Sequence, residues 1–329
     1  MIEHLSPLDQ ALLDGFQRDF PLRPRPYAAM AQNVDTTEAD TIDRLRVLQA
    51  AGMISRIGAT VRPNTVGAST LAALSVPAAR IEAVAELVNT EHGVNHSYLR
   101  EHDWNLWFVA TAPDAKSLAA CLARIKASTG LTVLDLPLRR AFNIDLGFSL
   151  NGAKVRTPVA KPLDLSVLCD ADRPIIQALS DGLALVARPF NALADQLSRT
   201  EADVIARIKA LSDAGILTRV GVIVRHRTIG WHSNAMVVWD VPENQITAAG
   251  TALARHPGVT LCYERQRLAG LWDYPLFSMI HGQSRAQALA VLNGALALPE
   301  LAGCAHQVLF SQRCFKQKGA VVHQKEAVA

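Results

Sequence analysis

The chain has 329 residues, of which 50% are hydrophobic and 19% are charged. At about 150 residues per domain this length predicts roughly two domains, and the apolar fraction excludes a disordered or collagen-like chain. The net charge of +3 is too small to indicate nucleic-acid binding without a local basic patch. No apolar stretch is long enough for a transmembrane helix, no secretory signal is recognisable, and the scattered cysteines form no CxxC pair. We therefore expect a cytoplasmic protein with neither a disulfide framework nor a protein-bound metal.

The sequence repeats itself once. The stretch RPYAAMAQN at Arg25 has a counterpart, RPFNALADQ, at Arg188, so the offset is 163 residues there, and it grows to 165 further along each copy. A period of this length indicates tandem duplication of one architecture rather than a solenoid. Two homologous copies can pack as a pseudo-dimer within one chain. The polar, proline-containing stretch between the copies predicts a linker at residues 150–166.

The first part of each copy, residues 1–66 and 167–230, has the apolar spacing of helices followed by a strand-like segment. In the first copy, a break at Pro21–Pro26 precedes a short helix from Tyr27, and the string TTEAD offers a threonine cap and an acidic first turn for the next helix. Gly52 ends that helix, and the pattern then becomes typical of a strand. Three helices followed by a β-wing predict a winged helix-turn-helix in each copy.

The remainder of each copy, residues 67–149 and 231–329, alternates in the order β-α-β-β-α-β. This order predicts a ferredoxin-like domain with both helices on one face of its sheet. The other sheet face must then be buried or carry a site. The predicted fold class is therefore α+β: a tandem duplication of a winged helix-turn-helix plus a ferredoxin-like domain, forming an intrachain pseudo-dimer.

One predicted strand of each copy carries an unusual set of side chains. Strand residues alternate between two faces, so every second residue of such a segment shares a face. In the first copy these residues are His96, Tyr98, Arg100 and His102. In the second copy they are Leu261, Tyr263, Arg265 and Arg267. Tyrosine and arginine recur, whereas both histidines are confined to the first copy.

These residue types favour a particular class of ligand. Arginine binds carboxylates in a bidentate manner, histidine gives or takes a proton near neutral pH, and tyrosine stacks and forms hydrogen bonds. Together they favour a flat ligand with several carboxylates that undergoes proton-coupled chemistry. His281, at the end of the next predicted strand of the second copy, adds a further imidazole. The plainer alternative stays open for each: a strand histidine is often only structural, and these arginines could form ordinary interface ion pairs.

The predicted helix-turn-helix segments raise the question of DNA binding. Base and phosphate contacts require basic or amide side chains on the recognition helix. The first turn of that helix instead carries Glu38 and Asp40 in the first copy, and Glu201 and Asp203 in the second. Because acidic groups repel phosphate, the sequence disfavours sequence-specific DNA binding.

A winged helix-turn-helix followed by a β-α-β-β-α-β domain resembles the AsnC/Lrp family of regulators, over nearly the whole chain and twice. The strings GVNHSYLREHDWNLWF and GVTLCYERQRLAGLWDYPLFSMIHG extend the resemblance to the siroheme decarboxylases, which are AsnC/Lrp-like enzymes. The resemblance implies a lyase that removes carbon dioxide from two acetate side chains of siroheme and gives didecarboxysiroheme. The product would serve the heme of denitrifying nitrite reductase or an alternative heme synthesis.

The resemblance and the residues together suggest roles for individual side chains. His96 and His102 would be the catalytic acid/base residues, one of them close to the substrate iron. The substrate-binding residues would be Tyr98, Arg100, Tyr263, Arg265, Arg267 and His281. No cofactor is expected, since siroheme brings its own iron, and because Leu261 replaces the first histidine we expect one productive site per chain.

Two other functions stay open at this point. One is an AsnC/Lrp-type transcription regulator that senses a small effector. The other is a tetrapyrrole-binding protein without catalysis. Neither function requires a membrane, and further association of the pseudo-dimers is compatible with all three.

Overall fold

The computed structural model describes residues 5–143 and 161–323. The first copy contains α1 (Pro7–Gly15), α2 (Pro26–Asn33), α3 (Glu38–Ala50), β1 (Ile54–Val61), β2 (Ala68–Leu74), α4 (Ile81–Thr90), β3 (Val94–Arg100), β4 (Leu106–Ala112), α5 (Ala115–Thr129) and β5 (Leu134–Asn143). The second copy contains α6 (Arg173–Asp181), α7 (Pro189–Gln196), α8 (Glu201–Asp213), β6 (Leu217–Val224), β7 (Ser233–Asp240), α9 (Ile246–Arg255), β8 (Val259–Arg265), β9 (Leu276–Gly282), α10 (Arg285–Leu296) and β10 (Ala305–Gln317).

The described residues form two compact units, and both copies contribute to each unit. The first unit contains the helix-turn-helix segments, and the second, residues 68–143 and 231–317, contains the strands of the ferredoxin-like domains. The predicted α+β duplication with an intrachain pseudo-dimer is confirmed by this arrangement. Most of the predicted linker lies outside the described residues. The segment after β10 groups with the first unit rather than with the second ferredoxin-like domain, because the Val322 amide donates to Gln177 of α6 at 2.8 Å.

In the first unit, the corresponding helices of the two copies begin in the same way. Thr37 caps α3 and Thr200 caps α8, and each hydroxyl accepts a hydrogen bond from a backbone amide in the first turn. Gly52 follows α3 with a φ of 74°, which glycine adopts without strain. The wing is formed between the copies, because β1 pairs antiparallel with β6 rather than with a strand of its own copy.

Each copy of the first unit also contains a buried aspartate held by an arginine. Asp9 forms an ion pair with Arg44, and Asp172 forms one with Arg207 at 2.6 Å. Both carboxylates are fully buried. Burial raises the pKa of each carboxyl group, but the hydrogen bonds from the arginine and from nearby backbone or side-chain donors lower it further, so both pKa values fall below the usual value.

The strands of the second unit close into one barrel in the order β10-β3-β4-β2-β5-β8-β9-β7. The copies meet at two seams, which are the antiparallel pairs β3–β10 and β5–β8. The last strand of each copy spans a seam. Thus β5 pairs with β2 through its first residues and with β8 through its last, while β10 does the same with β7 and β3.

Alternation along the strands separates the inside of the barrel from the helix-covered outside. Leu71 and Met236 pack inside, whereas their neighbours Ala72 and Val237 pack against the helices of their own copies. We call the inside residues the inner cluster: Leu71, Ala73, Trp107, Leu134, Leu136, Met236, Val238, Tyr263, Trp272, Phe277, Met279 and Leu309. Across the described part of the chain, no helix combines the length and the apolarity that a bilayer crossing requires.

Candidate active site

The strand β3 presents a row of polar and aromatic side chains to the inside of the barrel. The rings of His96 and Tyr98 stack with centroids 6.5 Å apart, and the Arg100 guanidinium carbon lies 5.5 Å from the Tyr98 ring centroid. Tyr98 pairs with Trp107 of the inner cluster. The intervening Ser97 points the other way and donates to an asparagine of α4. Three of the four residues that the alternation predicts to share a face therefore do so.

His102 lies beyond β3, which ends at Arg100, so strand alternation does not place it. Its ring contacts Trp272 of the inner cluster edge to face, with centroids 5.6 Å apart. In the turn that follows, the Nδ1 of His102 accepts a hydrogen bond from the Trp104 amide at 2.9 Å. The Nε2 therefore carries the proton and donates to the Oε1 of Gln307, whose amide nitrogen donates to the Tyr274 hydroxyl at 2.8 Å. Both ring nitrogens of His102 thus make hydrogen bonds within the protein.

The guanidinium of Arg100 connects the two copies. It is buried, and its Nη1 donates to the Oδ1 of Asn234 at 3.1 Å and to the Leu309 carbonyl at 3.0 Å. Asn234 lies 2.7 Å from the Nε2 of His281 on the neighbouring strand. The Nδ1 of His281 lies 2.8 Å from the hydroxyl of Thr260. The predicted residues Arg100 and His281 therefore belong to one buried hydrogen-bonded network, to which Asn234 and Thr260 also belong.

The strand β8 carries the second predicted arginine in a different environment. The Arg265 guanidinium carbon lies 4.7 Å from the Tyr263 ring centroid, and its Nη1 donates to the Leu136 carbonyl at 2.6 Å. Its Nε is buried and has no hydrogen-bond partner among the described residues. Burial lowers the pKa of Arg265, and Tyr263 together with Asp135 offsets only part of that effect. Arg265 is therefore a desolvated cation that an anionic ligand would stabilise.

Arg267, which the alternation places beside Arg265, lies beyond the end of β8. It forms an ion pair with Asp240 at 2.8 Å and donates to the Val241 carbonyl at 2.5 Å. Strand alternation does not extend into this loop, so strand geometry does not support the prediction that Arg267 shares the face of Tyr263 and Arg265. Arg267 corresponds in sequence to His102, and each bonds a residue of another strand, Asp240 of β7 and Gln307 of β10 respectively.

Three further polar residues of the site, Asn234, Thr260 and Gln307, are not predicted by the sequence pattern. Each belongs to a strand that contributes to the inner cluster, and each bonds a predicted site residue. A polar residue within an otherwise apolar predicted strand is the sequence feature that could have identified them. The described residues contain no group of three or more histidine, cysteine or acidic side chains arranged to hold a metal ion.

The sequence and the structure match known proteins over most of the chain. A model of the AsnC-like ligand binding domain matches residues 66–143 and 228–316, and a model of the siroheme decarboxylase NirDL-like HTH domain matches residues 9–54 and 172–217. The siroheme decarboxylase NirDL subunit of Paracoccus denitrificans (strain Pd 1222) is 61% identical over 323 residues, which are 98% of this chain and 99% of that protein.

Two solved structures are similar in fold over nearly the full length. The crystal structure of the siroheme decarboxylase NirDL has a TM-score of 0.68 and 27% sequence identity, and the match covers 97% of this chain and 94% of the other. The crystal structure of NirDL in co-complex with an iron-uroporphyrin III analogue has a TM-score of 0.65 and 28% identity, and the match covers 92% and 90% of the two chains.

Proposed function

Because the chain belongs to the siroheme decarboxylase NirDL family, we propose that it removes carbon dioxide from two acetate side chains of siroheme and releases didecarboxysiroheme. The family, the carboxy-lyase class and the AsnC/Lrp-like fold predicted from the sequence are confirmed. Within the structure, the observation that carries the proposal is the row of imidazole, phenol and guanidinium groups on the inside of β3. This row supplies the groups that the reaction needs.

The chemistry requires a proton and a way to hold carboxylates. Loss of carbon dioxide breaks the bond between the methylene carbon and the carboxylate carbon, and the electron pair stays on the methylene carbon, where the macrocycle delocalises it. One proton then forms the new C–H bond and completes the methyl group. No electron enters or leaves, so the proposed reaction uses no added cofactor, and the iron belongs to the substrate.

Arg265 is the first candidate for holding a substrate carboxylate. Its side chain is half-buried, its Nε is fully buried without a hydrogen-bond partner among the described residues, and a cation in this situation is costly. A carboxylate of the substrate would supply the missing interaction, and Tyr263 would fix the plane of the guanidinium by stacking. Arg100 is the second candidate, since its position is fixed by the Leu309 carbonyl and Asn234. Such contacts would orient the acetate that reacts.

His96 is the first candidate for the proton donor, because it shares the inside of β3 with Tyr98 and Arg100. The role proposed for His102 differs, since both of its ring nitrogens already bond protein groups. We propose that His102 holds the turn after β3 and Gln307 in place. The large aromatic side chains of the inner cluster, Trp107 and Phe277, would favour departure of the carboxylate as neutral carbon dioxide.

The test is anaerobic incubation of the full chain with siroheme, followed by mass spectrometry of the tetrapyrrole. The expected result is the successive loss of two carboxyl groups. A change in the absorbance spectrum on mixing without any loss of mass would instead indicate a non-catalytic tetrapyrrole-binding protein. The co-complex of the similar NirDL structure with an iron-uroporphyrin analogue supports a tetrapyrrole as the ligand.

DNA binding is tested separately, since the regulator alternative rests on the helix-turn-helix segments. The carboxylates that begin α3 and α8 form ion pairs, Glu38 with Arg25 and Glu201 with Arg188, so these two arginines are already paired within the protein. We infer that the chain does not bind DNA in a sequence-specific manner. Salt-sensitive, sequence-selective shifts in a gel titration against genomic fragments would contradict this inference.

A further inference from the structure

The network around Asn234 has hydrogen-bond directions that can be assigned without knowing any proton position in advance. Arginine only donates, so the atom of Asn234 that faces Arg100 must be the carbonyl oxygen, Oδ1. The amide nitrogen of Asn234 then faces His281 and must donate to its Nε2 at 2.7 Å. The Nε2 of His281 is therefore an acceptor and carries no proton.

The other side of the imidazole agrees with this assignment. The hydroxyl of Thr260 donates to the Met279 carbonyl at 3.0 Å, so it is left to accept from the Nδ1 of His281 at 2.8 Å. Arg100, Asn234, His281 and Thr260 thus form one chain of hydrogen bonds that all point in a consistent direction. Asn234 and His281 are both buried, so water does not compete for these groups.

We propose that Asn234 is a positioning residue that holds His281 as the neutral tautomer with its proton on Nδ1 and couples that tautomer to Arg100 of the first copy. The tautomer follows from the contacts alone, whereas the relevance to decarboxylation rests on the proposed function. A proton on Nε2 would face the amide hydrogens of Asn234. To accept that proton, the amide must rotate, and its oxygen then leaves Arg100.

Because Asn234 bonds both Arg100 and His281, binding of substrate at Arg100 would affect the protonation of His281. A substrate carboxylate that takes over the Nη1 of Arg100 would release the oxygen of Asn234. The amide could then rotate and accept a hydrogen bond from the tautomer of His281 that has lost its proton from Nδ1 and carries one on Nε2. Recognition of a carboxylate by the first copy would thereby set the proton position on an imidazole of the second copy. Asn234 does not touch the substrate in this scheme and acts through its two neighbours.

The hydrogen-bonded network of Asn234, His281 and Thr260 occupies one of the two pseudo-symmetric positions and not the other. The pair Asn234 and His281, on β7 and β9, corresponds by strand register to the pair Ser69 and Thr111, on β2 and β4. Thr260 corresponds to Asn95 at the same bulge of the preceding strand. No imidazole stands at the first-copy positions, so the arrangement is not a by-product of the duplicated fold.

The tautomer is measured by long-range ¹H–¹⁵N correlation spectra of the full chain, labelled with ¹⁵N-histidine and without substrate. The variant His281→Gln identifies the His281 signals. In the unaltered protein we expect the Nε2 signal of a bare ring nitrogen and the Nδ1 signal of a protonated one. A protonated Nε2 in the unaltered protein would overturn the proposal.

The variant Asn234→Asp tests whether the amide of Asn234 determines the tautomer of His281. It is isosteric, but it replaces the amide NH₂ by an oxygen that only accepts, so the Nε2 of His281 must gain a proton and its signal must move to the protonated position. The exposed Asn244→Asp is the matched control and should leave the His281 signals unchanged. Signals of the other histidines report whether each variant is folded. If Asn234→Asp is unfolded, Thr260→Val provides the second route, because loss of the acceptor should reduce the Nδ1–H population.

An activity measurement separates the two parts of the proposal. Asn234→Asp should lower kcat by about tenfold or more with a smaller change in KM, because an orienting residue acts through the tautomer of its histidine. A switched tautomer with unchanged kcat would overturn the positioning role and leave the proposed function intact. Absence of decarboxylation in the unaltered protein would refute the proposed function and leave the tautomer result standing.

Discussion

The strands β3 and β8 occupy the same place in the two copies, yet they differ in the groups that can transfer a proton. Both keep a tyrosine followed two residues later by an arginine. At the position of His96 on β3, the second copy has Leu261. Conversely, the position of His281 on β9 is occupied by Thr111 in the first copy. Each copy therefore contributes a different imidazole, so the two halves of the barrel interior are chemically unequal, as we expect for one composite site rather than two equivalent ones.

The contacts that both copies keep are those that the fold requires. Arg100 donates to the Leu309 carbonyl on β10, and Arg265 donates to the Leu136 carbonyl on β5, so each arginine bonds the seam-spanning strand in the same way. The buried aspartate–arginine pairs of the first unit also recur in both copies. Duplication thus preserved packing and seam contacts, and the differences are concentrated in groups suited to proton transfer.

The imidazole of His96 is the group of the first copy whose removal should reduce activity the most. His96→Ala should lower the decarboxylation rate by about 10²- to 10⁴-fold, the usual contribution of a general acid. Siroheme binding, followed by absorbance, should persist. The matched control is Leu261→Ala at the corresponding position of the second copy, which should change the rate far less. Equal losses in both variants would refute the assignment of His96.

Arg265 and Arg267, the two arginines of the second copy that the sequence predicts to bind substrate, are expected to differ in their effect on substrate affinity. Arg265→Ala should raise KM for siroheme by about 10- to 100-fold and change kcat less, because a charge-assisted hydrogen bond to a carboxylate contributes about 1.5–3 kcal/mol. Arg267→Ala serves as the control, since Arg267 is already paired with Asp240. Steady-state kinetics with siroheme distinguish the two. An unchanged KM for Arg265→Ala would show that this guanidinium does not contact substrate.

His102 provides a test of the difference between the two histidines of the first copy. His102→Ala should lower the free energy of unfolding by about 1–3 kcal/mol, because it leaves the Trp104 amide and Gln307 without their partner. The kcat of the folded fraction should fall much less than in His96→Ala. Denaturant titration of His102→Ala, Gln307→Leu and the double variant should show coupling between the two sites. A loss of kcat as large as that of His96→Ala would instead make His102 a catalytic residue.

The buried aspartate–arginine pair, which both copies contain, should affect the pH dependence of stability rather than catalysis. The folded pKa of Asp172 is lowered, so its ionised form contributes stability above its unfolded pKa of about 3.9, and this contribution is lost as the pH falls through the folded pKa. Asp172→Asn should therefore cost about 1–2 kcal/mol at neutral pH and flatten the decline of stability below about pH 4. Acid titration followed by circular dichroism measures this. The exposed Asp170→Asn should leave the acid limb unchanged.

The sequence predicts the order of the helices and strands and the shared face of His96, Tyr98 and Arg100, because both follow from local periodicity. It does not predict where a strand stops. Alternation does not apply to His102 and Arg267, because each lies in a loop beyond its strand and is positioned by partners on other strands. The pairing of β1 with β6 and the network through Asn234 depend on contacts between the copies, and one sequence pattern carries no such information.

The seam-spanning strands β5 and β10 have a consequence for stoichiometry. Since each copy lends its last strand to the other, two first copies could in principle close a barrel through the same seams, but that barrel would contain His96 twice and His281 not at all. A barrel of two second copies would contain His281 twice and His96 not at all. Joining the copies in one chain sets an effective concentration of about a millimolar for the unlike partner. The covalent link thereby secures the unlike pairing without any seam contact having to discriminate against the like pairing.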